Sequence, residues 1–116
     1  PGDREINDRF IQIAIGSYQD RIVNQAGALS FKQYYDFLYS ECLFVITIDS
    51  APLHIARSLF VPTVSLWGPT NPVNLSVISD WHQHVYLAKP CSPCVHHTEV
   101  LPCGGDNHCM KEMKVS

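Results

Sequence analysis

The sequence predicts an α/β fold in which a parallel sheet is flanked by helices. Two runs rich in apolar and β-branched residues, 43–48 and 63–67, have the length and composition of strands buried on both faces. Between them, apolar residues recur with a helical period. A strand, a short helix and a second strand form a βαβ unit, which places the two strands parallel and nearly always in a right-handed crossover.

Length and composition limit the class of protein. With 116 residues the chain forms at most one small domain and is too short for a two-domain enzyme. A hydrophobic fraction of 46% and a charged fraction of 16% indicate an ordinary soluble globular chain rather than a disordered one. The net charge of −3 and the lack of a basic cluster predict no nucleic-acid partner. No run approaches membrane-spanning length and PGDREIND does not resemble a signal peptide, so we expect a cytoplasmic location.

The N-terminal residues predict a packing helix at 4–15. Asp3 is its candidate cap and Gly16 its stop. One face of this helix carries the apolar residues Ile6, Phe10, Ile13 and Ala14.

The next segment predicts a strand, a turn and a second helix. Residues 21–24 have strand composition and are followed by a turn at Gln25-Ala26-Gly27. Ser30 then caps a helix over about 31–41, whose apolar residues follow a helical period.

The strand 43–48 breaks at Asp49-Ser50, and this break is the first candidate site. Both residues favour the N-cap position, and Pro52 suits the first helical turn because the amide it lacks would have no intrahelical partner. A helix N-terminus at the carboxyl edge of a sheet presents free N–H groups and a positive dipole end. We therefore predict a phosphate or diphosphate site at 49–54, and an ordinary N-cap is the alternative.

The strand 63–67 ends in a loop that should join this site. The loop is Gly68-Pro69-Thr70-Asn71-Pro72, and its glycine allows close approach of a ligand to the backbone. Because both strands of a βαβ unit end at the same edge, 68–70 should lie beside Asp49 and Ser50. A further strand is predicted at 84–88.

An irregular cysteine-rich segment follows at 89–110. It contains Cys91, Cys94, Cys103 and Cys109 in the pattern C-x2-C-x8-C-x5-C. Four thiolates have the composition of a structural zinc site, although the spacing fits no common zinc pattern closely. Disulfides in an oxidising environment, plain reduced thiols, and redox chemistry at the CxxC pair are the alternatives. A small cysteine-rich metal-binding or interaction module without catalysis is accordingly the second function that the sequence allows.

Three motifs in succession resemble a known family. They are ITIDSAPLHIA, VPTVSLWGPTNP, and PCSPC followed by CGG and CM. Together they resemble the C-terminal part of the ADP-heptose:lipopolysaccharide heptosyltransferase family, glycosyltransferase family 9, and the resemblance covers nearly the whole chain. It implies the GT-B architecture, in which two Rossmann-like domains face each other across a cleft. The C-terminal domain of that fold binds the nucleotide-sugar donor, and the N-terminal domain carries the acceptor site and a catalytic aspartate.

The resemblance assigns the donor-diphosphate site by position. The family's loop Asp-Ser/Thr-Gly-x-x-His and its later Gly-Pro-Thr loop correspond here to Asp49, Ser50, Ala51, His54, Gly68, Pro69 and Thr70. Ala51 stands where the family usually has glycine. Its methyl group either narrows the approach of the phosphate or occupies a position with a helical φ that alanine tolerates. Without the resemblance, the helical period alone favours a core histidine at position 54.

The resemblance also implies what the chain contains and what it requires. Residues 1–116 would be a Rossmann-like nucleotide-sugar-binding domain, incomplete at both ends and without a catalytic residue, so that alone they would transfer no sugar. The expected reaction moves a heptose-type sugar from ADP-heptose onto the lipopolysaccharide core. Expected partners are the donor, the N-terminal GT-B domain and a lipid-linked saccharide acceptor, with the protein peripheral at the inner face of the membrane. No cofactor is required, apart from the candidate structural zinc ion.

Overall fold

A computed structural model of the protein describes residues 2–13, 16–76, 78–95 and 97–114. The chain divides into two units, Pro1–Phe37 and Leu38–Ser116, which we describe separately. The elements in chain order are α1 (Gly2–Ile13), a 3₁₀ helix (Gly16–Arg21), α2 (Phe31–Ser40), β1 (Val45–Ile48), α3 (Ala51–Ser58), β2 (Thr63–Trp67), α4 (Pro72–Leu75), β3 (His82–Tyr86) and α5 (His108–Lys111).

The second unit contains a three-stranded parallel sheet with the strand order β1-β2-β3. Helix α3 connects β1 to β2 and packs against both strands. This confirms the predicted α/β class and the βαβ unit. The strand predicted at 63–67 has the observed bounds, the one predicted at 43–48 begins two residues later, and the one predicted at 84–88 lies two residues earlier.

The expectation that β1 is buried on both faces is wrong. Ile46 and Ile48 are 63% and 52% exposed, whereas Val45 and Thr47 are half-buried. Strand β1 forms the edge of the described sheet, and a crossover helix covers only one face of the strands that it joins. The other face of β1 therefore remains open.

The core of this unit lies on the face of β2 that carries Thr63, Ser65 and Trp67, all of them buried. Leu53 and Ala56 of α3 are fully buried as well. The Trp67 indole Nε1 donates a hydrogen bond of 2.8 Å to Ser65 Oγ, which satisfies its polar atom inside the core.

A polar cluster continues this buried face onto β3. Arg57 of α3 donates to Ser76 Oγ, and Ser76 Oγ lies 3.1 Å from His84 Nε2. Thr63 Oγ1 lies 3.0 Å from His82 Nδ1. Burial, followed by the charge of Arg57, lowers the pKa of both His82 and His84. Both rings therefore favour the neutral form more strongly than a free imidazole does, because their surroundings disfavour a positive charge.

These two histidines should make the protein less stable in mild acid. A folded-state pKa below the unfolded value of about 6.5 means that the unfolded chain binds more protons as the pH falls. We therefore expect the free energy of unfolding to decrease from about pH 7 to about pH 5. Urea denaturation at a series of pH values would measure this. His84→Gln removes one of the two groups and should give a shallower pH dependence, and an unchanged slope would contradict the expectation.

In the first unit, α1 begins two residues before its predicted start. It spans Gly2–Ile13, so Asp3 lies inside the first turn and does not cap it. Ala14 and Ile15 lie outside the described residues. Ile6, Phe10 and Ile13 are 66%, 63% and 72% exposed, so the predicted packing face is open in this structure.

The prediction of a strand at 21–24 is wrong. The 3₁₀ helix ends at Arg21, and 22–25 have no regular structure. The side chain of Asn24 explains the difference, since its Nδ2 donates to Asp8 Oδ1 at 2.7 Å and to the Arg4 carbonyl at 2.9 Å. Its Oδ1 also accepts from the amide of Ala26 at 3.0 Å. Asn24 thus ties this segment to α1 and to the following turn.

The cap predicted for α2 is confirmed. The amide of Gln33 donates to Ser30 Oγ at 3.3 Å, and the amide of Ser30 donates to Gln33 Oε1 at 2.9 Å, which together form a capping box. Within the described ranges, no helix is long and apolar enough to cross a bilayer.

Candidate functional site

The loops that follow β1 and β2 meet at one edge of the sheet, as predicted. A cavity of about 410 Å³ lies there, lined by Ile48, Asp49, Leu66, Gly68, Pro69, Thr70, Asn107 and Met110. Asp49 and the whole Gly68–Thr70 loop therefore share one cavity at the carboxyl ends of neighbouring parallel strands. Such an edge is the usual ligand-binding position in open α/β sheets.

The start of α3 confirms Ser50 as its N-cap residue but not the expected hydrogen bond. Ser50 has extended backbone angles, φ −160° and ψ 174°, and its hydroxyl makes no cap hydrogen bond. The hydroxyl instead donates to the Ile48 carbonyl at 3.4 Å. The amides of the first turn are thus left without the hydroxyl acceptor that an N-cap serine usually supplies.

His54 lies at the surface and not in the core. Its side chain is 57% exposed, and its Nε2 lies 3.9 Å from Asp49 Oδ1, whose side chain is 20% exposed. The interpretation of His54 as a core histidine is therefore wrong. This distance is too long for a hydrogen bond, so Asp49 does not fix the orientation of the imidazole. Three of the residues assigned by resemblance, Ser50, Ala51 and His54, stand beside the cavity but not in its lining.

Two cavity residues, Asn107 and Met110, were missed by sequence reasoning. They come from the cysteine-rich segment, at the start and in the middle of α5. A Cβ atom on Gly68 would lie 2.6 Å from Met110 Cγ and Sδ and 3.1 Å from Cys109 Sγ. Helix α5 therefore makes the close approach to Gly68 that the sequence analysis expected of a ligand.

The first half of the cysteine-rich segment is hydrogen-bonded to the same loop. The amides of Cys94 and Val95 donate to the Pro69 carbonyl at 2.9 and 3.0 Å. Ser92 Oγ donates to the Gly68 carbonyl and lies 3.1 Å from the Tyr86 hydroxyl. Both ends of the segment therefore hold Gly68 and Pro69 in place.

The five cysteines are free, and Cys94 and Cys109 are buried. Backbone N–H groups, first that of Asn107 and then that of Gly105, lower the pKa of the Cys103 thiol. Burial raises the pKa of Cys109, and the charges of the other three thiols of the segment raise it further. In the part of the chain that the structure describes, no three Cys, His, Asp or Glu side chains are already placed to hold a metal ion. The charges of the three other thiols thus act on Cys109, but the four sulfur atoms do not form a coordination sphere.

These features define the class of protein. In this βαβ unit Asp49, just before the helix cap, and the glycine loop share a cavity at the carboxyl edge of the sheet, which is where open α/β sheets usually bind their ligands. The chain belongs to glycosyltransferase family 9 (heptosyltransferase), whose family model matches residues 3–104. This range includes both loops of the site and the first three cysteines of the cysteine-rich segment.

Curated relatives agree with this assignment. The chain is 38% identical over 53 residues to lipopolysaccharide heptosyltransferase 1 of Pseudomonas aeruginosa, a match of 46% of the chain and 15% of the relative. It is 31% identical over 78 residues to lipooligosaccharide heptosyltransferase 2 of Haemophilus influenzae, covering 67% of the chain and 22% of the relative. Lipooligosaccharide heptosyltransferase 2 of Campylobacter jejuni is 35% identical over 78 residues, covering 63% and 22%. The match thus spans less than a quarter of each relative, and no solved structure matches the chain significantly.

Proposed function

We propose that this chain is the donor-binding part of a GT-B heptosyltransferase, which transfers a heptose from ADP-heptose onto the lipopolysaccharide core. The observation that carries this proposal is the cavity shared by Asp49 and the Gly68–Thr70 loop. The family membership supports the transfer of a sugar, and the position of the cavity supports binding of the donor there.

The lining of the cavity suits a nucleoside diphosphate. Its volume of about 410 Å³ lies within the roughly 300–1,000 Å³ of small-molecule sites. Ile48 and Leu66 give it an apolar wall for a base or a ribose, whereas the Thr70 hydroxyl and the Asn107 amide can donate hydrogen bonds to phosphate oxygens. The amides at the start of α3, next to the cavity, add donors and the positive end of the helix dipole.

Asp49 has a different task from the hydrogen-bond donors. A carboxylate repels phosphate, so we assign Asp49 to accept a hydrogen bond from a hydroxyl group of the bound nucleotide sugar. From one turn inside α3, the His54 imidazole would donate to a phosphate oxygen. Binding of the donor would then draw His54 from its exposed position towards the cavity.

The chemistry follows from these roles. In an inverting transfer without a metal ion, the departing diphosphate is stabilised by fixed dipoles and hydrogen-bond donors, which the start of α3 and the Gly68–Thr70 loop supply. The acceptor and the catalytic aspartate would come from the N-terminal GT-B domain, so residues 1–116 alone would be inactive. Because that acceptor is lipid-linked, the complete enzyme would work at the inner face of the membrane.

Ligand-observed NMR with ADP tests the donor site. We expect saturation transfer from the chain to the adenosine protons, and we expect the double variant Asp49→Ala, His54→Ala to weaken binding by at least about tenfold. Loss of one hydrogen bond to a charged group is worth about 1.5–3 kcal/mol, and about 1.4 kcal/mol corresponds to a factor of ten. UDP and GDP, measured in the same way, would report the preference for the base.

Asp80→Ala is the matched control. Asp80 precedes β3 and therefore lies at the amino ends of the parallel strands, whereas the cavity lies at their carboxyl ends. This variant removes the same charge and should leave ADP affinity unchanged. If the double variant, still folded by circular dichroism, bound ADP as well as Asp80→Ala does, the diphosphate would not lie at this loop.

A further inference from the structure

We propose that a second, smaller cavity beside the donor cavity holds the sugar of the bound nucleotide sugar, and that Asn74 and His97 bind the hydroxyl groups of this sugar. The inference rests on the proposed function, because it divides the donor between two neighbouring compartments. The second cavity has a volume of about 220 Å³ and is lined by Thr70, Asn71, Asn74, Leu75, Val95 and His97.

The position of the smaller cavity is the first argument. Thr70 lines both cavities, so the two meet at the end of the Gly68–Thr70 loop. In a nucleotide sugar the sugar is joined directly to the terminal phosphate, so its compartment must begin beside the diphosphate. The volumes also agree with this division, about 220 Å³ against about 410 Å³, because one sugar is smaller than a nucleotide.

The chemistry of the lining is the second argument. A sugar hydroxyl group both donates and accepts hydrogen bonds, and the Thr70 hydroxyl, the Asn74 carboxamide and the neutral form of the His97 imidazole each offer both functions. Among the described residues, no lysine or arginine lines this cavity, so it suits a neutral polyol better than a phosphate. Leu75 and Val95 supply an apolar wall for the C–H groups of the ring.

The turn that carries Val95 and His97 is fixed beside the loop. The amides of Cys94 and Val95 donate to the Pro69 carbonyl at 2.9 and 3.0 Å, and the amide of His97 donates to the Cys94 carbonyl at 3.0 Å. Backbone hydrogen bonds therefore hold this part of the wall next to Thr70. His97 itself is exposed, so its imidazole is accessible to a ligand.

Helix α4, which carries Asn74, is held at both of its ends. At the start, Asn71 Oδ1 accepts a hydrogen bond of 2.9 Å from the amide of Val73. Directly after the helix, Ser76 Oγ lies 3.1 Å from His84 Nε2. Asn74 lies between these two anchors and is exposed. A backbone held in this way loses little conformational freedom when a ligand binds.

Isothermal titration of the chain with ADP and with ADP-heptose tests the sugar compartment. We expect ADP-heptose to bind more tightly than ADP. Asn74→Ala and His97→Ala should each weaken ADP-heptose binding by roughly three- to tenfold, the effect of losing one neutral hydrogen bond, and should leave ADP affinity unchanged. Gln12→Ala is the control, because it removes a carboxamide from an exposed position of α1 and should change neither affinity.

The side-chain amide resonances of Asn74 in the unmodified chain keep the test decisive if a variant does not fold. They should shift with ADP-heptose by more than with ADP. Equal losses of affinity for both ligands in the two variants would overturn the proposal, as would an unchanged affinity for ADP-heptose. Either result from a chain that binds ADP removes the sugar compartment and keeps the donor site. A chain that binds neither ligand would remove both.

Discussion

Replacing Trp67 by alanine is expected to lower the free energy of unfolding by about 3–5 kcal/mol, the cost typical of deleting a large buried aromatic side chain. Trp67 is fully buried at the end of the central strand, with its ring centroid 5.4 Å from that of His84. Its removal leaves a cavity in a small core and takes away the donor that pairs with Ser65 Oγ. Because small domains are stable by only about 5–15 kcal/mol, the change should be large in a urea titration followed by far-UV circular dichroism.

Trp81→Ala provides the control, since Trp81 is the other tryptophan of the chain and is 65% exposed. We expect it to change stability by less than about 0.5 kcal/mol. The loss of stability in Trp67→Phe should fall between the losses in Trp67→Ala and Trp81→Ala. Phenylalanine keeps most of the buried area and loses one hydrogen bond worth about 1 kcal/mol. Similar losses in Trp67→Ala and Trp81→Ala would contradict the placement of Trp67 in the core.

The βαβ unit could be predicted from the sequence because its signals are local. Residues 63–67 alternate Thr and Ser with Val and Leu and are closed by Pro62 and Gly68, which punctuate a strand at both ends. The first candidate loop was visible for the same reason, since Asp49, Ser50 and Pro52 follow directly after an apolar run. What the sequence could not show was that the Ser50 hydroxyl turns back to the Ile48 carbonyl.

The errors in the first unit arise from side-chain hydrogen bonds between residues far apart in the chain. Asn24 bonds to Asp8 and to the Arg4 carbonyl, partners 16 and 20 residues away. Periodicity reports burial on a strand or helix and contains no information on such pairs. A short run such as Ile22-Val23 is therefore ambiguous, and here the asparagine side chain decides its conformation.

The cavity wall was missed because α5 has only four residues and no detectable period. Its contact with Gly68 spans about forty residues of sequence and is made by a methionine, a side chain that adapts to irregular gaps. The cysteine pattern did mark this segment as special. Only the structure shows that the glycine loop and the cysteine-rich segment belong to one site.

Gly68→Ala tests that connection, and we expect it to lower the free energy of unfolding by about 1–3 kcal/mol, the usual cost of overpacking. The new Cβ would lie 2.6 Å from Met110 Cγ and Sδ, closer than real Cβ contacts, so the Met110 side chain must shift. The added methyl group acts on Met110 first and on Cys109 Sγ, at 3.1 Å, second. Chemical denaturation of the single variant measures the loss.

The double variant Gly68→Ala, Met110→Ala separates this contact from a general effect of alanine on the loop. Met110→Ala vacates the space that the new methyl group needs, so the double variant should be more stable than the sum of the two single changes predicts, with a coupling of about 0.5–3 kcal/mol. Gly104→Ala is the control, because an added Cβ there meets no atom within 4 Å while its φ of +60° strains alanine. The loss of stability caused by Gly104→Ala should therefore simply add to the loss caused by Met110→Ala, with no coupling energy between the two changes. Additive losses at Gly68 would mean that α5 does not pack on this glycine, and that the cavity wall lies elsewhere.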